Sequence, residues 1–178
     1  MRTRPLVKSL PLGLLVVLAL AACGSSKAPG VETAPSGGDT QASIPTTPSV
    51  PPALSKKPVV VVPKGPPPPH LVSTDLVTGT GKAASAGKTV TVNYVGVLYG
   101  TGKEFDSSWK NGQPASFPLS AGPGGVIPGW VQGIPGMKVG GRRQLIVPPN
   151  LAYGAKGSPP TIPPNSTLVF VVDLLSVA

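Results

Sequence analysis

From Thr89 to Tyr94 polar and apolar residues alternate, so that Val90, Val92 and Tyr94 fall on one face. A period of two is what a strand with one buried face requires. Gly96, just beyond, predicts a bend or a bulge. Arg142 to Val147 reads as a second strand, and Leu71 to Val77 and a short piece around Phe117 as two more. Thr167 to Val177 is apolar on both faces, with Leu168, Phe170, Val172 and Leu174 set against Val169, Val171 and Leu175. Such a strand belongs in the middle of a sheet, covered on both sides. One segment has a different period: Ile127, Trp130, Val131 and Ile134 recur at i, i+3, i+4 and i+7, a single helical face. Pro128 suits a first turn, and Pro135-Gly136 ends the run. A helix of two turns is not stable alone in water, so this one must be held against the sheet. The expected fold is α+β, a curved antiparallel sheet of about five strands wrapped around one short helix.

This patterning is confined to residues 70–178, which are enough for one core. Residues 24–69 hold 12 prolines and 5 glycines in 46 positions and no aromatic residue. A segment of that kind buries too little apolar surface to offset its ordering entropy and reads as a disordered, extended tether. Within it, Val59 to Val62 is a β-prone island between Pro58 and Pro63, either a strand for a sheet edge or an exposed patch in the linker. Pro66 to Pro69 reads as a stiff spacer or as a polyproline ligand. Before the tether, Arg2, Arg4 and Lys8 precede the apolar run Leu10 to Ala22, the pattern of a secretory signal. At about 1.5 Å per residue that run is too short to span a bilayer core of roughly 30 Å. It ends in Leu20-Ala21-Ala22-Cys23, which resembles the lipobox of bacterial lipoproteins. The resemblance implies a signal segment over residues 1–23 that is cleaved between Ala22 and Cys23, and a membrane lipid anchor on Cys23, outside the cytoplasm. Cys23 is the only cysteine, and lipidation explains a lone thiol in an exported chain.

Charge and residue inventory remove several function classes. Residues 70–178 carry 8 Lys+Arg against 4 Asp+Glu, scattered rather than striped, which argues against nucleic acid as partner. The only histidine, His70, lies at the tether junction, so a Ser-His relay inside the domain lacks its base, and zinc sites of Cys and His are excluded. Glu104 and Asp106 flank Phe105 and would share a face on a strand. Gly122 to Gly125 is too short for a phosphate loop and lacks the Lys-Ser/Thr that follows one. The expectation is chemistry with no cofactor, no metal and no covalent step.

Seven stretches then fall in a familiar order: Val92 to Leu98, Gly102 to Ser108, Val126 to Trp130, Gly136 to Gly141, Pro148 to Gly154, Ile162 to Asn165 and Leu168 to Phe170. Together they resemble the FKBP-type peptidyl-prolyl isomerases and cover essentially all of residues 70–178. The resemblance implies a pocket lined by Tyr94, Phe105, Asp106, Val126, Ile127, Trp130, Tyr153, Ile162 and Phe170, with Trp130 as its floor. It implies that the Ile127 N–H and the Tyr153 hydroxyl bind peptide carbonyls, and that Asp106 tunes the wall through a hydrogen bond. Where many members have an aromatic residue two positions before Phe117 this chain has Ala115, and Ser158 stands at a loop position often bulky or His. Both predict an open rim. The implied function is isomerisation of X-Pro bonds in unfolded or exported polypeptides, by a monomer that also accepts a macrolide inhibitor. The alternative is a proline-binding module that docks a cell-surface partner with little turnover. Read without the resemblance, Phe105, Val126, Ile127, Trp130 and Phe170 read first as core residues, and Asp106 reads equally as a turn former.

Overall fold

The structure is a computed structural model and describes residues 51–178. The expected signal, the lipobox with Cys23 and residues 24–50 of the tether lie outside the described residues. Six strands form one antiparallel sheet: β1 (Val72–Val77), β2 (Thr89–Leu98), β3 (Glu104–Ser107), β4 (Ala115–Pro118), β5 (Arg142–Val147) and β6 (Leu168–Val177). The spatial order is β1-β5-β6-β2-β3, and β4 pairs with the first half of β2. One helix, α1 (Pro128–Gly133), lies against the sheet. The sixth strand, β3, is the one the alternation does not announce, because at four residues it is too short to show a period.

The two apolar faces of β6 each meet their cover. Leu168, Phe170, Val172 and Leu174 face the main core, with Val90, Val92, Trp130, Ile134, Leu145 and Val147. Val169 faces the other way, into a second cluster with Val95, Val97, Tyr99 and Ile146. Strand β5 divides its side chains in the same manner. Leu145 and Val147 meet the helix, where a Cβ on Gly133 would lie 2.7 Å from Leu145 Cδ2, and one on Gly129 would collide with Val147. The helix therefore approaches the sheet more closely than any larger residue at those two positions would permit.

On the opposite side of β5 the structure departs from the tether reading along residues 51–69. This stretch runs as a strap over the outer face of the sheet. Leu54 is 1% exposed, and Val60 and Val62 pack onto the second cluster while Val59 and Val61 point to solvent. Gln144 Nε2 donates to the Val61 carbonyl at 2.9 Å, and Arg142 Nη2 to the Lys56 carbonyl at 3.1 Å. Lys57 pairs with Glu104 at 2.8 Å. The Val59–Val62 island thus adds no strand; it supplies alternate side chains to an apolar surface that would otherwise be wet. Its prolines restrict the chain before it docks, which lowers the entropy lost on docking. No helix among the described residues is long and apolar enough to cross a membrane.

Candidate functional site

The β2–β3 pairing builds one wall of a hollow. Val97 faces Glu104 and Gly96 faces Asp106, so Phe105 is an extra residue on β3, a bulge. A bulge interrupts alternation. Phe105 and Asp106 consequently turn to the same side, and Glu104 is left with Lys57 and Lys110 on the strap side. The two carboxylates do not share a face, contrary to the simple strand expectation. Gly96 is required here, since a Cβ would come within 2.7 Å of Phe105 Cζ and 2.9 Å of Phe170 Cε1.

Helix α1 supplies the floor. Ile127 precedes it in extended conformation, and Pro128 fills the first turn, where no N–H is needed. Trp130 is 4% exposed and meets three rings edge to face: Tyr94 and Phe170 at 5.4 Å and Phe117 at 5.7 Å between centroids. Phe105 meets Phe170 in the same manner at 5.6 Å. Perpendicular contacts lock each ring by the face of the next. The indole Nε1 of Trp130 is buried without a hydrogen-bond partner among the described residues.

The resulting hollow has a volume of about 130 Å³, lined by Tyr94, Phe105, Asp106, Phe117, Val126, Ile127, Trp130, Tyr153 and Phe170. Eight of the nine residues expected from the sequence meet there. Ile162 does not: it is 4% exposed and belongs to the core, tied to Ser158 through a bridge within its loop. Phe117 is the lining residue that sequence reasoning missed. Its position on β4, opposite Val90 on the core-facing side of β2, was the available signal. Ala115 and Ser158 lie outside the lining.

Three polar elements stand at the hollow. Tyr94 Oη donates to Asp106 Oδ2 at 2.5 Å, and Asp106 Oδ1 accepts the Ser107 N–H at 2.8 Å. Asp106 therefore serves as both local turn former and wall residue. Ser108 Oγ donates to Asn93 Oδ1 and accepts the Tyr94 N–H, each at 3.0 Å, which ties β3 to β2 behind them. Tyr153 follows the turn Pro149–Leu151, its loop folded back by Gly154 N–H on the Pro149 carbonyl at 2.8 Å. Its hydroxyl and the Ile127 N–H engage no acceptor among the described residues. Burial, and then the Asp106 carboxylate, push Tyr94 above the ordinary tyrosine range; burial and the same carboxylate push Tyr153 up. Both hydroxyls thus remain protonated donors throughout the neutral range. The arrangement can hold an apolar group on a ring floor and offer two donors at its edge.

Residues 80–175 match the family model of FKBP-type peptidyl-prolyl cis-trans isomerases. A probable FK506-binding protein of Corynebacterium glutamicum is 52% identical over 121 residues, which cover 68% of this chain and 98% of that protein. An FK506-binding protein of Streptomyces anulatus is 53% identical over 123 residues, with the same shares. Among solved structures, FkpA from Escherichia coli superposes with a TM-score of 0.54 at 51% identity, over 60% of this chain and 47% of its own. The family match spans more than half of the sequence and the two FK506-binding relatives are covered almost whole, so the chain belongs to the FKBP-type peptidyl-prolyl cis-trans isomerase family.

Proposed function

We propose that this isomerase works outside the cytoplasm, held to a membrane by a lipid on Cys23, and turns X-Pro bonds of exported polypeptides inside the Trp130 hollow. The observation that carries the catalytic part is the convergence of six aromatic residues on one small hollow with a few donors at its edge. Rotation about an amide is opposed by a barrier of about 18–20 kcal/mol, because resonance gives the C–N bond partial double character. The twisted transition state has lost that resonance and its charge separation. A water-poor ring pocket disfavours the dipolar planar amide relative to the twisted one, and shape complementarity to the twisted bond adds differential binding. Lowering the barrier by about 7 kcal/mol accelerates rotation on the order of 10⁵-fold. In this reading the proline ring sits on Trp130, and the Ile127 N–H and Tyr153 hydroxyl take the flanking carbonyls. Tyr94 and Asp106 hold each other and fix the wall. A macrolide that fills the same hollow would compete with the peptide.

The export part is supported by the basic start, the apolar run to Ala22 and the single Cys23. Mass spectrometry of the mature N-terminus tests it: a diacylglyceryl Cys23 is expected, and retention of residues 1–22 sinks it. The catalytic part is tested with X-Pro peptides. Trp130→Ala should lower kcat/KM on the order of 100-fold while Tyr153→Phe lowers it on the order of tenfold. Binding of proline peptides by the wild-type chain with no acceleration would replace this reading with that of a docking module.

A further inference from the structure

Helix α1 has no basic residue in its last turn, and at six residues it leaves most of its carbonyls without an intrahelical donor. Arg143, from β5, brings donors to that end. Its Nη1 donates to the Gly133 carbonyl at 2.8 Å and to the Pro135 carbonyl at 3.3 Å. On its other edge, Nε and Nη2 donate to the Asp75 carboxylate at 2.6 and 3.1 Å. Asp75 lies directly opposite Arg143 in the β1–β5 register. One guanidinium thus joins the edge strand, its neighbour and the carboxyl end of the helix. Arg143 shares its side of β5 with Leu145, which touches Gly133, and Val147, which limits the residue at 129. Those two contacts set how close the helix lies, but apolar contacts do not set how far it slides or rotates. Directional bonds to Gly133 and Pro135 do. Trp130 stands one turn earlier on the same six-residue element, with its carbonyl accepting Ile134 N–H at 3.0 Å.

We propose that Arg143, oriented by Asp75, is a positioning residue for isomerisation: it fixes the carboxyl end of α1 and thereby the depth and tilt at which Trp130 floors the hollow. The inference rests on the hollow being where proline isomerises. An exposed ion pair alone contributes little. Here two of the bonds go to backbone carbonyls at a helix end, where a cation is also favoured by the helix dipole. Lysine cannot replace the planar fork, because it has no second edge to keep Asp75 engaged while serving two carbonyls.

The test uses the full chain with Trp109→Phe, which leaves Trp130 as the only indole. Arg143→Met is added to this parent, and both are measured where thermal melts show each fully folded. Expected are a fall in kcat/KM for an X-Pro peptide on the order of tenfold and a Trp130 emission shifted to longer wavelength and more open to acrylamide. Arg143→Lys should restore only part of either signal. A folded Arg143→Met with kcat/KM within about twofold of the parent and unchanged emission overturns the proposal, even if its melting temperature drops. If Arg143→Met does not fold, Asp75→Asn decides by the same two readouts: a smaller loss with a smaller shift supports the proposal, and no change in either overturns it. A parent that turns over no proline peptide refutes the isomerase reading instead, while the emission readout still decides the positioning of Trp130.

Discussion

Gly96 occupies the space between two phenyl rings that make up much of the hollow. Replacing it by alanine drives a methyl to within 2.7 Å of Phe105 and 2.9 Å of Phe170, and neither ring can retreat without disturbing the Phe105–Phe170 contact. Overpacking of this kind costs about 1–3 kcal/mol. Gly96→Ala should therefore fold with reduced stability and lose several-fold in kcat/KM, read from a denaturation curve and a peptide assay on the same sample. Unchanged turnover would mean that the hollow tolerates a moved wall. Phe105 itself illustrates what a period of two conceals. Its position between Glu104 and Asp106 predicts that it faces away from both. The bulge instead groups it with Asp106, because one extra residue on β3 against Gly96 and Val97 shifts the phase of everything after it.

At the scale of elements, the strap is the part that alters the picture most. Its burial of Leu54 and its bonds to Arg142 and Gln144 make residues 51–69 part of the folded unit. Leu54→Ala should lower stability by about 2–5 kcal/mol, visible as an earlier denaturant midpoint; a midpoint equal to wild type would return the segment to the status of a free tether. Activity measured well below the transition should hardly change, since Leu54 is not among the residues that line the hollow. The helix was legible from its four apolar positions, and β6 from its two apolar faces. The strap was not, because proline-rich sequence without aromatic residues resembles a linker whether or not something receives it. The clue lay elsewhere, in Val169 and Val171. Two-sided apolarity demands a second cover, and the sequence downstream of residue 70 offers only one helix.

For the molecule as a whole, acid sensitivity follows from the same contacts. The hydrogen bonds and charge of Arg143 hold Asp75 below the ordinary carboxylate range, against a smaller effect of burial. A carboxylate whose folded value lies under its unfolded value stabilises the fold above the unfolded value, and that contribution fades as pH falls through the folded one. Asp75→Asn should therefore be less stable than wild type at pH 7, and the gap should narrow as pH falls below the ordinary carboxylate range; a gap independent of pH would assign it to shape rather than charge. Most of the site was legible as well. Tyr94, Phe105, Asp106, Val126, Ile127, Trp130, Tyr153 and Phe170 converge as expected. Phe117 escaped because β4 is too short to show which way it faces, and Ile162, which the resemblance placed at the pocket, is buried in the core and not among the residues that line the hollow.

Strand β5 is read from both sides. Arg143, Leu145 and Val147 serve the helix, while Arg142, Gln144 and Ile146 serve the strap and the cluster beneath it. Inserting or deleting a single residue inside Arg142–Val147 would exchange the two crews at a stroke, sending polar tips into the helix contact and aliphatic ones out to the strap. No lone compensating substitution repairs both, so the length of this six-residue stretch is fixed far more tightly than the identity of any residue within it.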